Sequence, residues 1–376
     1  MRILLVNWQD WANPQAGGAE VHLREIFRRI AERGHTVNLL CSSYRSARSE
    51  EVLDGIRIIR RGGRYNFNYV VMMTLRKLLR LGDYDILVED INKIPFYVPL
   101  FCDVPEMVIV PHLFGTTVFH EVRWPLALYV YAWEVALRHV YREARFEVIS
   151  ESTKADLVAR GIPPEHIYVV YCGLDHDLYT AGPGEREETG PPYILYLGRL
   201  KRYKRVELAL EAFKDIRDRV EGIRLVIAGD GDYRPALEKA SRRMGLAGDV
   251  FFHGRVSSEE KVKLLRGASL VVNTSEKEGW GLTNVEAQAC GCPVVSTDSP
   301  GLRESVVHGR TGFLVSDRDK GELVDRSIVL LTDPKLRHRF SEEARKWANR
   351  FSWEDAADRT IELMETVVSE DHGRPS

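Results

Sequence analysis

Short apolar runs recur along this chain, each followed by a stretch with helical periodicity, and that alternation restricts the fold more than any other feature. Arg2 to Asn7 reads as a short buried strand. Leu23, Ile26, Phe27, Ile30 and Ala31 then fall on one helical face, Gly34 is placed to cap that helix, and Val37 to Cys41 is the next strand. Parallel strands need a crossover, so strand-helix-strand units build a sheet covered on both faces. Ile56 to Ile59, Asp85 to Val88, Met107 to Val110, Glu147 to Ile149 and Tyr168 to Val170 continue the pattern. The apolar stretch Trp124 to Trp133, interrupted by Glu134, predicts a buried or interfacial helix.

The segment from Ala181 to Pro192 is rich in Gly, Pro and charge and has no apolar periodicity, which marks a domain boundary. Beyond it, Tyr193 to Leu197, Leu225 to Ala228, Val250 to Phe252, Ser269 to Asn273, Val294 to Ser296 and Gly312 to Leu314 read as a second series of strands. Ser257 with Glu260 is a capping box before Val262, Leu264 and Leu265. The predicted fold class is α/β, with two doubly wound domains in tandem, for which 376 residues are sufficient. Helical segments after Lys320 close the chain, and a frayed tail is expected over the last six residues, 371–376.

Composition excludes several classes. With 44% hydrophobic and 29% charged residues the chain is neither disordered nor fibrous, and 53 Lys+Arg against 55 Asp+Glu leave no overall basic excess of the kind nucleic acid selects. No run is long enough for a bilayer-spanning helix or a signal-peptide core. Five thinly spread cysteines point to reduced thiols and a cytoplasmic setting, and Cys290-Gly291-Cys292 lacks the second pair that a zinc site needs. One local bias stands out: residues 19–80 hold 13 Lys+Arg against 6 Asp+Glu, with Phe67, Tyr69, Met72 and Met73 nearby. Such a face suits anionic lipid headgroups or a lipid-diphosphate acceptor, although solvated arginines alone would give the same count.

In open parallel sheets, ligands bind beyond the carboxyl ends of strands, where helix N-termini present backbone N–H groups. After the strand Ser269 to Asn273 stands a loop with Glu278, and eight positions on, one turn into the next helix, stands Glu286. Gly279 and Gly281 between them let backbone amides approach an anion closely. Carboxylates on either side of such a nest accept hydrogen bonds from vicinal hydroxyls, which suits a sugar at each end of a diphosphate. A tight turn followed by a surface Glu is the plain alternative. After Tyr193 to Leu197 comes Gly198-Arg199-Leu200-Lys201-Arg202-Tyr203-Lys204, where Arg199 and Lys204 could bind a diphosphate or simply lie solvated.

Taken in order, Gly198-Arg199-Leu200 with Lys204, Glu278-Gly279-Trp280-Gly281-Leu282 leading to Glu286, and Gly291-Cys292-Pro293-Val294-Val295 resemble the family 4 retaining glycosyltransferases of the GT-B fold. The resemblance implies two Rossmann-like domains facing a deep interdomain cleft, an acceptor-binding domain over 1–172 and a donor-binding domain over 173–354, with a helix from about 355 packing back on the first. It implies that Glu278 contacts the donor hexose, Glu286 the ribose hydroxyls, and Arg199 with Lys204 the diphosphate. The loop Gly279, Trp280, Gly281 and Leu282 joins this donor site, and Gly254-Arg255-Val256 lies against the nucleobase. In the first domain, Gly17 and Gly18 match a loop near the donor phosphates, and His112 a position close to the transferred sugar. An N-terminal glycine cap and a structural histidine are the alternatives there. Cys172 stands where the family usually has Asn.

The implied activity is transfer of a hexose from a UDP- or GDP-linked sugar to a hydroxyl of a glycan, glycolipid or lipid-linked acceptor, with retained configuration. No nucleophile for double displacement is evident, so a front-face path is expected. No Asp-x-Asp element follows a strand in a suitable setting, so neither an obligatory metal nor another cofactor is expected. A dehydrogenase is disfavoured, because Asn7-Trp8-Gln9-Asp10-Trp11 follows the first strand and Gly229-Asp230-Gly231 has Arg234 where a third glycine belongs. A nucleotide-sugar epimerase or hydrolase, or a non-catalytic nucleotide-sugar-binding protein, could share the fold. The expected setting is cytoplasmic, with peripheral contact at the inner membrane face left open.

Overall fold

The computed structural model describes residues 1–121, 123–182 and 191–372. Most of the boundary segment Ala181 to Pro192, and positions 373–376 of the tail, lie outside the described residues. The chain divides into two compact units, one formed by Met1–Gly173 together with the segment from Trp353 onward, the other by Leu174–Ser352.

The first unit carries β1 (Arg2–Val6), α1 (Gly18–Glu32), β2 (Thr36–Cys41), β3 (Glu50–Leu53), β4 (Ile56–Arg60), α2 (Phe67–Leu81), β5 (Ile86–Asp90), β6 (Glu106–Val110), α3 (Val118–Glu121), α4 (Trp124–Val140), β7 (Arg145–Val148), α5 (Glu151–Ala159) and β8 (Ile167–Val169). Its sheet runs β3-β4-β2-β1-β5-β6-β7-β8, with β3 antiparallel to β4 and the other pairs parallel. Strand β3 carries no apolar run that would announce it: Glu50–Leu53 is an edge strand whose residues are exposed or half-buried. Gly34 closes α1 as expected, its N–H bonding Ala31 O while His35 N bonds Ile30 O.

The second unit carries β9 (Tyr193–Leu197), α6 (Val206–Arg217), β10 (Arg224–Ala228), α7 (Arg234–Arg243), β11 (Val250–Gly254), α8 (Ser258–Gly267), β12 (Leu270–Asn273), α9 (Leu282–Ala289), β13 (Val294–Thr297), β14 (Gly312–Val315), α10 (Lys320–Thr332) and α11 (Pro334–Ala348). Its six strands are all parallel, in the order β11-β10-β9-β12-β13-β14. The Ser257–Glu260 capping box opens α8. The closing helix α12 (Trp353–His372) lies on the first unit, where Trp353 meets His22 edge-on at 6.0 Å and Glu354 pairs with Arg29 at 2.5 Å and Arg33 at 2.9 Å.

One expectation for the first unit needs correction. Phe67 is not part of an exposed face: it is fully buried among Trp8, Phe96, Val71 and Leu75. Glu134 interrupts the apolar run of α4 without ending the helix. Its side chain is buried and its two oxygens accept from the N–H groups of Phe114 and Gly115, both at 2.8 Å, so the carboxylate ties down the loop after β6. The large apolar residues Trp124, Leu126, Leu128 and Val135 are exposed on this helix.

Candidate functional site

In each sheet the strand order reverses beside the first strand, between β1 and β5 in one unit and between β9 and β12 in the other. Loops leaving the two strands at such a point diverge to opposite faces and leave a crevice, the usual ligand site of a doubly wound sheet. The residues singled out in the sequence gather at the carboxyl ends of strands in both units.

In the second unit, Lys204 follows β9 and Glu278 follows β12. The Lys204 ammonium and the Glu278 carboxylate form an ion pair, and Ser275 Oγ donates to the same carboxylate at 2.7 Å. Burial disfavours the charged ammonium, but the neighbouring Glu278 outweighs it and raises the Lys204 pKa, with Arg199 opposing the rise. The two loops are stitched together: Thr274 Oγ1 donates to the carbonyls of Lys204 and Arg205, and Glu276 N donates to Tyr203 O. Arg205, at φ 48°, pairs with Glu276 and Asp317, so this part of the basic loop is structural. Arg199 stands exposed at the start of the loop.

Helix α9 begins at Leu282 behind Gly281, with no side-chain cap on its N-terminus. Gly281 has φ 73°, and a Cβ there would come within 2.7 Å of Ser305 Oγ and 2.9 Å of Leu302 Cδ2. The helix is held from behind by a buried polar set: Asn273 Nδ2 donates to Asn284 Oδ1 at 3.0 Å, and Asn284 Nδ2 donates to Ser305 Oγ at 2.9 Å. Rigidly placed, uncapped N–H groups at a positive helix end beside a cationic loop favour an anion. Trp280 contributes differently from its neighbours Gly279 and Leu282: its ring is buried against Phe351, 4.6 Å between centroids, under the loop rather than in an exposed lining.

Glu286, on α9, is almost wholly buried and takes a hydrogen bond from Lys261 Nζ at 2.5 Å. Its Oε2 is buried and makes no hydrogen bond with the described residues. Tyr179 lies against both, its ring 5.1 Å from Lys261 Nζ, and burial together with the charge of Glu286 pushes its phenol up. Lys261 and Tyr179 carried no signal in the sequence, one being a lysine in a charged first turn and the other a tyrosine in an irregular segment. Gly254 ends β11 at φ 77°, and its carbonyl accepts from Gly229 N at 2.7 Å. Arg255 is exposed and Val256 half-buried just beyond it. The glycines of Gly229-Asp230-Gly231 have a packing reason, since a Cβ on Gly229 would stand 1.9 Å from Gly198 O.

In the first unit, Gly17 is the N-cap of α1 in an extended conformation, and its N–H donates to Glu20 Oε2 at 2.6 Å. Glu20 Oε1 accepts from Gln9 at 2.8 Å and Asn92 at 3.0 Å, so the loop after β1 is anchored to the loop after β5. A Cβ on Gly18 would meet nothing within 4 Å, which leaves open space over this turn. His112 follows β6, half-buried, with its ring edge-on to Phe114 at 5.4 Å. Thus Arg199, Lys204, Glu278 and Glu286 collect on the second unit, while Gly17, Gly18 and His112 belong to the first.

Two doubly wound α/β units, one with cations and carboxylates around an open helix N-terminus, define a GT-B fold with a candidate anion site. The sequence pattern of the family "Glycosyl transferases group 1" matches residues 183–347, and that of "Glycosyltransferase Family 4" matches residues 16–178. The chain belongs to the family 4 glycosyltransferases. It is 33% identical over 222 residues to D-inositol 3-phosphate glycosyltransferase of Corynebacterium jeikeium, a match that covers 55% of this chain and 53% of that relative. The chain therefore spans about half the length of that relative. Its fold is similar to that of sucrose-phosphate synthase from Thermosynechococcus elongatus, at a TM-score of 0.83 and 20% identity over 98% of this chain and 99% of the other. It is also similar to Anabaena HepE in complex with UDP-glucose, at a TM-score of 0.79 and 20% identity over 97% and 100%.

Proposed function

We propose that the protein transfers a hexose from a nucleoside-diphosphate sugar, UDP- or GDP-linked, to a hydroxyl of a glycan, glycolipid or lipid-linked acceptor, with retention at the anomeric carbon. The observation that carries this reading is the Lys204–Glu278 pair at the reversal point of the second sheet, beside the open N-terminus of α9. The HepE complex with UDP-glucose supports the uridine series for the donor.

In this reading the entering diphosphate draws Lys204 and Arg199 onto its oxygens and lies toward the N–H groups of α9. Glu278, released from its ion pair, accepts hydrogen bonds from the hexose hydroxyls. Glu286 accepts from the ribose, filling the capacity of its second oxygen. The bond from the anomeric carbon to the phosphate oxygen breaks, the acceptor oxygen bonds to that carbon on the same face, and the acceptor proton passes to the leaving diphosphate. Lys204 and Arg199 stabilise the charge that develops there, the task a metal carries out in other sites, so turnover is expected to be metal-independent. Positioning by Gly254, Arg255 and Val256 at the base, and by His112, Gly17 and Gly18 toward the sugar and acceptor, completes the scheme.

We also infer a peripheral contact between the first unit and an anionic lipid surface. No helix among the described residues is long and apolar enough to cross a membrane. The basic count of residues 19–80 overstates the attraction, because Arg24, Arg28, Arg29, Arg33, Arg57 and Arg61 are paired with carboxylates. What supports the contact is the outward side of α2, where Tyr69, Met72 and Met73 are exposed near Arg76, Lys77 and Arg80.

Calorimetric titration with UDP, GDP, ADP and NAD, with and without a chelator, tests the donor site. Chelator-resistant binding of one nucleoside diphosphate is expected, followed by product formation from the matching donor only when an acceptor is present. Conversion of the sugar by enzyme and donor alone would mean an epimerase or hydrolase, and binding of NAD alone would overturn the site assignment.

A further inference from the structure

At the far end of α2 from its Tyr69 turn, three cations form no ion pair with any described residue, in contrast to the arginines of α1 and β4. Arg76 only approaches the Phe101 ring, 5.7 Å from its centroid, and Lys77 and Arg80 are exposed. A cavity of about 520 Å³ opens beside them. Arg76, Leu79 and Arg80 line one side and Leu100, Phe101 and Val104 the other, with Cys102 and Asp103 between. Leu100 in its lining is 66% exposed, and Leu81, the last residue of α2, is 76% exposed. The cavity lies where α2 ends and β6 begins, at the amino ends of β5 and β6. His112 and the Gly17–Gly18 turn lie at the opposite, carboxyl edge of the same sheet, so this cavity is separate from the machinery assigned to sugar transfer.

Two guanidinium groups one helical turn apart, both lining the cavity, each carry the paired N–H donors that suit phosphate oxygens. An apolar wall and exposed leucines beside them suit the glycerol and first methylenes of an amphiphile rather than a free sugar phosphate. Exposed Met72, Met73 and Tyr69 continue this character along the helix. We propose that the cavity between α2 and the segment 99–104 seats the phosphate of an anionic phospholipid, with Arg76 and Arg80 as its ligands and Leu79 and Leu100 against its apolar part. The proposal deepens the peripheral contact inferred above and rests on it, but it does not depend on the transferase activity.

The test is flotation of the full chain with phosphatidylcholine vesicles carrying either phosphatidylglycerol or an equal charge of oleate, which has no phosphate. The variants are Arg76→Gln/Arg80→Gln and, as a charge-matched control in the same unit, Arg45→Gln/Arg48→Gln. Each cation held at the membrane surface contributes about fivefold to partitioning, so loss of the cavity pair should weaken binding to phosphatidylglycerol vesicles about 30-fold. The control should lose much less, oleate vesicles should bind more weakly, and thermal unfolding of both variants should match the parent. Equal losses in both variants would overturn the cavity while leaving the peripheral contact standing. Absence of flotation by the parent would remove the contact and this proposal with it. Titration with inorganic phosphate separates the remaining source: binding that depends on Arg76 and Arg80 without vesicle binding would identify a soluble-phosphate site and overturn the lipid assignment.

Discussion

Lys204 and Glu278 stand 74 residues apart in the chain, yet their charged groups meet across two adjacent strand ends, with side chains only 13% and 19% exposed. In the proposed scheme Lys204, the diphosphate ligand, rests on Glu278, the hexose ligand, and each satisfies the other until a donor replaces both contacts. Glu278→Gln should therefore lower kcat/KM by about 100-fold or more, while Lys204→Met should weaken nucleoside-diphosphate binding by roughly 10- to 100-fold. Steady-state kinetics and calorimetry measure the two effects. An unchanged rate in folded Glu278→Gln protein would remove this residue from the mechanism.

Lys261 and Glu286 form the second pair, and here the carboxylate is the more buried partner at 6% side-chain exposure against 23%. Removing Lys261 leaves a buried charge uncompensated, so Lys261→Met should cost about 1–3 kcal/mol of stability, and Lys261→Met/Glu286→Gln should recover much of it. Urea unfolding of the single and double variants checks this. Glu286→Gln alone should raise the Kd of a ribonucleoside diphosphate more than that of its ribose-lacking diphosphate fragment. Equal effects on both would place Glu286 away from the ribose.

Gly281 is fixed by backbone sign and by space at once. With φ at 73° and Ser305 Oγ and Leu302 Cδ2 both within 3 Å of a new Cβ, Gly281→Ala should destabilise the second unit by about 1–3 kcal/mol and displace the first turn of α9. Donor affinity should fall with it. A variant with unaltered unfolding and donor Kd would show that this turn tolerates a side chain and does not set the anion site.

Below the strand ends of the first unit, Glu147 is completely buried on β7, and burial pushes its carboxyl up to about 8, an effect that the nearby Thr360 hydroxyl of α12 partly offsets. Burial likewise raises Glu89 to about 7, and raises Asp90, which faces Glu20, Glu147 and Glu89. These groups bind protons in the folded state that the unfolded chain has released above its ordinary carboxylate pKa. Their contribution to stability is complete below about pH 4 and is lost as pH rises toward 8, at up to about 1.4 kcal/mol per pH unit for each group. Glu147→Gln removes one such group, so the variant should gain on the parent between pH 6 and 8.5 in urea titrations. Parallel pH profiles would show that Glu147 is not protonated in the folded protein.

How much of this was legible in the sequence follows from what is local. Strand and helix succession, the Gly34 cap, the Ser257–Glu260 box and the loops bearing Arg199, Lys204, Glu278 and Glu286 were readable because periodicity, capping chemistry and position after a strand are short-range properties. The polar edge strand Glu50–Leu53 was not, since only pairing with β4 makes it a strand. Which charges meet was decided by tertiary structure alone. The order β9-β12 puts Lys204 on Glu278, and the seating of α8 beside α9 brings Lys261 to Glu286. Folding also buried Phe67 and Glu134 and spent most of the arginines of residues 19–80 on carboxylates, leaving Arg76 and Arg80 to line the cavity. Charge counts and spacings are fixed by the chain, but pairing and burial depend on which distant segments share a low-dielectric environment, and only the packed fold settles that.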